Sequence, residues 1–429
     1  MNKRIIISLT VIAVVAAIAI GGTMAYFNDT EVSSGNIFTA GSLNLKIDNG
    51  KAYYDGMVCE NGQWNCEPWG DYIVDFHQGL RRNGTPVLPE RSDPTAALGQ
   101  AQSAGNPSDP TQPPYSFASL GWKTGFGGDI TIGFTNRIVN GSGNDLAVYE
   151  VTGGTYPDEK IKVEVSKDGI NWSEAVPSVI TRDGQVDLGN LDWAKFVRLT
   201  DVSDKSLFES TADGYDVDAV KALHCEADPN LVGQTCNGSW NLTDLTEEKF
   251  YNFSDVKPGD QGKNVVSFHV DSNDGWACLS VTNKQDNENE CIDPEVSAED
   301  TSCGDGIDQG ELSQYINVFA WRDDGDGIYE PLQGEEFISN GPLGSLMVKV
   351  ADSTTGGPLA ASDTKWIGLD WCAGTINVNG WGGMTCDGSA MGDAAQTDKL
   401  SADVVAYTEQ WRNNPNFVCG APTASTTPN

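Results

Sequence analysis

Hydrophobic positions in this chain alternate with polar ones far more than they recur at helical spacing. Leu43, Leu45 and Ile47 are interleaved with Asn44, Lys46 and Asp48, and period-two patterns or short apolar runs return at residues 129–134, 146–151, 161–165, 196–200 and 264–270. Successive side chains of a strand point to opposite faces, so each stretch reads as a strand with a face to bury. Turn-forming runs separate them, such as residues 140–145 (Asn-Gly-Ser-Gly-Asn-Asp) and Lys167-Asp168-Gly169. An all-β protein follows, with a sandwich as the natural way to cover such strands.

One stretch differs in kind. Residues 5–20 are almost wholly apolar, follow Lys3 and Arg4, and lead out through Gly21, Gly22, Thr23 and Ala25. Basic start, apolar run and small-residue exit are the layout of a secretory signal, here residues 1–25, with cleavage after Ala25 or Tyr26. The competing reading is a retained membrane anchor, since a spanning helix needs roughly 17 to 25 apolar residues. A small-residue exit serves a peptidase and not an anchor, which favours cleavage.

Composition sharpens this picture. The formal charge is −35, with 61 acidic against 26 basic residues, and the signal would take two of the basic ones with it. Such a chain repels nucleic acid and anionic membranes and attracts divalent cations, although salt-adapted proteins are acidic too. Behind an export signal, Cys59, Cys66, Cys225, Cys236, Cys278, Cys291, Cys303, Cys372, Cys386 and Cys419 read as disulfides. Proximity suggests local clips, Cys59 with Cys66, Cys225 with Cys236, Cys278 with Cys291 and Cys372 with Cys386, but spacing leaves the connectivity open. With no CxxC and only His77, His224 and His269, a structural zinc site is not expected.

Organisation emerges from changes of texture. Residues 79–116 are rich in Pro and Gly with little periodicity, and read as a long loop. Residues 421–429 read as a disordered polar tail. The junction Tyr26-Phe27-Asn28-Asp29-Thr30-Glu31, followed by Phe38-Thr39-Ala40-Gly41-Ser42-Leu43-Asn44-Leu45, resembles the start of the TasA/camelysin family of secreted filament and biofilm-matrix proteins. Further similarities are Lys257-Pro258-Gly259-Asp260 before a strand, Leu369-Asp370-Trp371-Cys372, residues 396–403 and residues 412–417. The resemblance brackets the chain, at 26–68 and 226–420, and implies a jelly roll and a signal removed by a SipW-type peptidase. Between these parts, Ser166-Lys167-Asp168-Gly169-Ile170-Asn171-Trp172 with residues 194–201 and 213–220 resembles a discoidin-type, galactose-binding-like sandwich over 117–223.

Candidate chemistry is sparse. Asp323, Asp324, Asp326 and Glu330, backed by Glu335 and Glu336, surround glycines as oxygen ligands of a calcium loop do. The spacing is imperfect: with Asp326-Gly327 as positions five and six of an EF-type loop, position one is Arg322 and position twelve Gln333. The competing reading is an acidic turn between strands. Asp145, Asp216 and Asp218, with Asn144, Asp201 and Asp213, form a weaker calcium candidate in the insertion, since discoidin-like sandwiches can hold a structural calcium. Trp122, Trp172, Trp193 and Tyr215 suit either sugar stacking or a core. No HExxH or GxSxG motif occurs, so no catalytic residue is proposed and an enzyme is not expected.

The family resemblance carries the functional expectation. It implies a cell-surface or matrix protein that polymerises with itself by donating its N-terminal strand, with Phe27, Val32, Ile37 and Phe38 as anchors in a neighbour's open sheet edge. The alternatives are a monomeric module binding surface glycans or matrix, and a camelysin-type secreted metallopeptidase.

Overall fold

A computed structural model describes residues 28–33, 37–39, 45–60, 62–102, 117–123, 127–151, 157–226, 231, 236, 238–245, 248–251, 253, 255–271, 273–300 and 306–420, the first two stretches as backbone alone. The signal reading at 1–25, Phe27 and the tail at 421–429 lie outside these residues. The fold is all-β, built from antiparallel sheets packed as sandwiches around two principal cores.

The outer sandwich opposes two sheets. One runs, in spatial order, Ile37–Thr39, Asn28–Ser33, Lys399–Gln410, Gly275–Asn287 and Met347–Ala351. The other runs Phe337–Pro342, Ile316–Asp323, Thr364–Ala373, Gln261–Val270, Leu45–Tyr54, Met57–Glu60 and Gln63–Cys66, with Trp240–Thr243 also on Leu45–Tyr54. The alternation at the start of Leu45–Tyr54 places Leu45 and Ile47 in the core with Val266, Phe268, Trp276, Val318 and Ile367. Strand Ile316–Asp323 is buried on both faces, which explains its continuous Val-Phe-Ala-Trp run: Val318 and Ala320 face the sandwich core, while Phe319 and Trp321 join Cys372 and Ile376 in a small cluster behind it.

The inserted sandwich adjoins that second face, where Tyr329, Met384 and Cys386 pack on the cluster and Tyr72, Leu98 and Thr135 share a cleft with Trp321. Its sheets run Trp172–Thr181, Lys160–Ser166, Trp193–Asp201, Asp129–Val139 and Tyr72–His77, and Gly184–Val186, Leu146–Glu150, Asp216–Ala222 and Ala118–Ser119. Two features depart from the sequence reading. The insertion gains its edge strand at Tyr72–His77, well before residue 117, because Ile73 and Phe76 complete its core. The described part of the Pro/Gly-rich stretch is not free loop: Pro89–Arg91 and Pro94–Ala97 are 3₁₀ turns, and Ala97 and Leu98 join the core of the insertion.

Disulfide pairing corrects three of the four local clips. Cys59 bonds Cys236, Cys66 bonds Cys225 and Cys278 bonds Cys419; only Cys372 with Cys386 follows the neighbour rule. The hairpin register supplies the reason, since Cys59 stands opposite Trp64 and Cys66 opposite Met57. Cys291 is also disulfide-bonded, its partner lying outside the described residues. The first two bridges join the chain just before the insertion to the chain just after it.

The leading segment also departs from expectation. Asn28–Ser33 does not leave its own sheet open: it pairs antiparallel with Lys399–Gln410, from Asn28 opposite Glu409 to Ser33 opposite Val404. Ile37–Thr39 folds back beside it, with Val32 opposite Ile37 and Glu31 opposite Phe38. Without this hairpin a long strand would present a row of unpaired backbone groups, so the segment closes the edge of its own chain.

Candidate functional site

The acidic turn begins where Ile316–Asp323 ends. The Asp323 carboxylate accepts from the Trp321 indole at 3.0 Å and from the backbone N–H groups of Gly325 and Gly327 at 2.8 and 3.2 Å. Gly325 and Gly327 have φ of 115° and 80°, values that glycine adopts without cost, which allows the chain to wrap back over the carboxylate. Asp326 accepts from Ile328 N at 2.7 Å. One oxygen each of Asp323, Asp324 and Asp326 lies within 4.8 Å of the others. Three of the four predicted ligands therefore converge, but two of them already bind their own turn.

Glu330 is drawn elsewhere. It is buried, and its Oε1 accepts from Thr95 Oγ1 of the insertion at 2.9 Å and from Gln333 Nε2 at 2.5 Å. Glu335 fills the space behind the turn, accepting from Asp324 N and Glu330 N at 3.0 and 2.8 Å. Burial, reinforced by neighbouring carboxylates, pushes Asp323 up to about 6, Glu330 to about 8 and Glu335 to about 9. Glu336 instead pairs with Arg322 at 3.2 Å.

The weaker acidic set is not brought together. Asp145 is fully buried and accepts from Gly141 N, Leu188 N and His224 Nδ1, pinning three loops. Asp216 bonds Ser119 Oγ, Asp218 accepts from Gln102 N, and Asp201 accepts from Ser203 N and Tyr215 N. These are structural acceptors that hold loop ends, the work that burial demands of any polar group. Among the described residues, none of them enters a carboxylate group close enough to share an ion.

The aromatic candidates divide the same way. Tyr215 is buried and donates to Arg182 O, while Trp122 packs on Phe208. Trp172 lies under Arg198 at 4.3 Å, and Trp193 is approached by Arg137 and Lys167 at 4.5 and 4.8 Å. Trp122 and Tyr215 are therefore core residues, while Trp172 and Trp193 are half-buried and each has a cation over a face.

A constellation without a sequence motif lies at the seam between the sandwiches. Tyr53, Glu67, Asp71, Tyr72, Lys263, Trp321, Asp370 and Trp381 line a small, partly open cleft of about 70 Å³. The Lys263 ammonium donates to Gly327 O at 2.5 Å and lies 4.8 Å from the centre of the Tyr53 ring. Asp71 accepts from Thr135 N at 2.6 Å. Burial pushes Glu67 and Asp370 up to about 7 and raises Asp71 as well. The space has room for ordered water between polar groups and suits a rigid polar joint. Its members come from distant strands, so no local spacing reveals them.

The three histidines have local roles. His77 meets Asp129 at 3.1 Å, His224 meets Asp145 at 3.0 Å, and His269 is bracketed by Ser267 and Thr364 at 2.7 and 3.1 Å. Among the described residues none joins a group that could hold a metal.

Residues 1–53 match the family model described as camelysin metallo-endopeptidase. The matched stretch contains the apolar N-terminal run and the first strands, and holds no histidine and no cysteine. No curated protein matches the chain. A solved structure described as truncated AlyQ with CBM32 and alginate lyase domains is similar at 11% identity, covering 80% of this chain and 98% of that one with a TM-score of 0.22. At that score the likeness carries no argument about fold or activity. Among the described residues, no helix is long and apolar enough to cross a membrane.

Proposed function

We propose that this chain is an exported structural subunit of the cell surface or extracellular matrix that assembles with copies of itself by exchanging its N-terminal strand. The observation that carries this reading is the docking of Asn28–Ser33 on Lys399–Gln410. The pairing is antiparallel and spans six positions at one end of a sheet, where a strand from a second copy would restore the same backbone bonds. Exchange of an identical element costs little beyond concentration. Donor and acceptor stand at opposite ends of the sequence, so each copy would give one strand and receive another, and such head-to-tail contacts propagate. The signal-like leader, the camelysin-family match over residues 1–53 and the disulfides support export. On this reading the role is structural rather than catalytic, and the peptidase that removes the leader is a transient partner.

Negative-stain microscopy of the mature protein tests the proposal. Filaments are expected from the intact chain, and deletion of residues 27–38 should leave folded monomer without them. Unchanged filaments after that deletion would overturn strand exchange.

A further inference from the structure

Three buried carboxylates of the outer sandwich, Asp286, Glu288 and Glu295, meet away from the acidic turn, where Gly275–Asn287 runs into the segment that leads to Ile316–Asp323. Glu288 is 3% exposed, and neither of its carboxylate oxygens has a hydrogen-bond partner. It is common to two clusters, one with Glu295 and Asp398 and one with Asp300 and Glu311. In each cluster the carboxylate oxygens lie within 4.8 Å of one another. Asp286, also 3% exposed, has its Oδ1 unpartnered, as is Oδ1 of Asp398.

Buried anions without donors are costly, and gathering several in one place compounds the cost. Among the described residues no lysine, arginine or histidine ion-pairs with Asp286, Glu288, Glu295 or Asp398. The groups around Glu288 that act on its charge are Asp398, Glu295 and Asp300, all acidic.

The surrounding backbone holds this arrangement in place. Asp398 Oδ2 accepts from Glu311 N and Leu312 N at 2.6 and 3.2 Å, and Asp286 Oδ2 accepts from Ser313 N at 2.8 Å. Glu295 accepts from Ile292 N and Thr397 Oγ1 at 2.6 and 3.1 Å. At Asp398 and Asp286 these contacts occupy Oδ2 and leave Oδ1 for another ligand, while Glu295 is held through both oxygens, each with a lone pair to spare. Gly310 completes the enclosure, because a Cβ there would stand 3.0 Å from the Asp398 carboxyl and 3.1 Å from Asp286 Oδ1.

We propose that Asp286, Glu288, Glu295, Asp300, Glu311 and Asp398 form a divalent-cation site, with Glu288 as the ligand shared by its two halves. The donors are oxygen only and anionic, the preference of a hard cation. Their number and their placement on loops suit calcium, which accepts six to eight oxygens in adaptable geometry, better than the rigid octahedron of magnesium. A bound ion would supply the positive charge that the surrounding protein withholds. It would tie together the end of Gly275–Asn287, the loop that follows and the start of Lys399–Gln410. This inference is independent of strand exchange.

Calorimetric titration of the chelator-stripped full chain with calcium, alongside thermal melts, tests it. Wild type should bind, and its Tm should rise with calcium. Glu288→Gln should weaken binding by roughly tenfold or more, since even supporting groups around a metal are worth that much. In chelator the same variant should melt no lower than wild type, because it keeps the shape and loses a repulsive charge. Asp398→Asn should repeat the loss of binding, and Asp324→Asn in the acidic turn should leave it unchanged. Wild-type affinity in Glu288→Gln, binding lost in Asp324→Asn alone, or no calcium binding by wild type would each overturn the assignment.

Discussion

Trp381 of the outer sandwich meets Phe76 of the inserted one edge-on across the seam, ring centroids 5.9 Å apart and planes at 82°. The loop that carries Trp381 is held by Asn379, whose side chain donates to Ile73 O at 2.6 Å and accepts from Gly383 N at 2.9 Å. Gly382 allows the close approach, since a Cβ there would stand 2.0 Å from Tyr329 O and the φ of 85° favours glycine. Trp381→Ala is expected to destabilise the protein by about 1–3 kcal/mol, below the full cost for a wholly buried aromatic because the ring is only partly covered. Calorimetry should then resolve two transitions where the parent gives one. A single unshifted transition would show that the ring contributes nothing to the joint.

The two bridges that flank the insertion predict unequal effects. Cys59–Cys236 and Cys66–Cys225 close loops with sequence separations of 177 and 159. In the chain-entropy account either bridge alone contributes about 5 kcal/mol. With one closed, the second closes a circuit of only roughly 18 residues and adds about 3 kcal/mol. Replacing one pair by serine should therefore lower stability by about 3 kcal/mol, and replacing both should cost clearly more than twice that. Denaturant melts of the two single and one double variant check it, and equal increments would argue against loop closure as the source.

The insertion's limits are set by contacts between residues far apart in the chain, which local patterning does not reveal. The alternation at Leu45 and Ile47, or along Lys160–Ser166, is a local signal, and the structure buries those positions as alternation requires. Tyr72–His77 gives no such signal, with Val74 exposed and Ile73 and Phe76 buried around a register shift between Ile73 and Asp75. Three of the four described disulfides join residues more than a hundred apart, the Lys263 constellation gathers side chains from distant strands, and the Glu288 group is completed by Asp398 from the far end of the chain, where spacing carries no information. The acidic turn shows the reverse case: a strong local motif whose carboxylates largely satisfy their own backbone.

Stability should fall as pH rises through neutrality. Burial raises Glu67 and Asp370 to about 7, Glu330 to about 8 and Glu335 to about 9, from ordinary values of 4.5 for the glutamates and 3.8 for the aspartate. Between those limits the folded chain holds protons that the unfolded chain has released, so unfolding gives up protons and becomes easier with each step in pH. The contribution is complete below the unfolded values and lost as pH passes the folded ones. Asp168 and Asp192 act oppositely, held low mainly by hydrogen bonds, and lose their contribution only in stronger acid. In chelator the melting temperature should therefore peak in mildly acidic buffer and drop toward pH 9. Asp370→Asn should flatten the part of that drop near pH 7, and a melting temperature that climbs from pH 5 to pH 9 would contradict the burial of these acids.

Strand exchange makes its own demand on which chains become linked. Thr30 stands opposite Tyr407 in the pairing of Asn28–Ser33 with Lys399–Gln410. Directly opposed Cα atoms on antiparallel strands are about 4.5–5.5 Å apart, within the span of a disulfide. No cysteine is free among the described residues, and because Cys278 of the Cys278–Cys419 bridge stands opposite Tyr407 on the other side, the Tyr407→Cys chain alone serves as the control for exchange with that bridge. A chain carrying both Thr30→Cys and Tyr407→Cys should close internally while monomeric and give a ladder of covalent oligomers under assembly conditions. Two chains carrying one substitution each should cross-link when mixed, because only an exchanged strand brings residue 30 of one copy beside residue 407 of another. If the mixture stays monomeric on non-reducing gels at every concentration while the double variant closes internally, the N-terminal strand serves its own chain alone and assembly must use another surface.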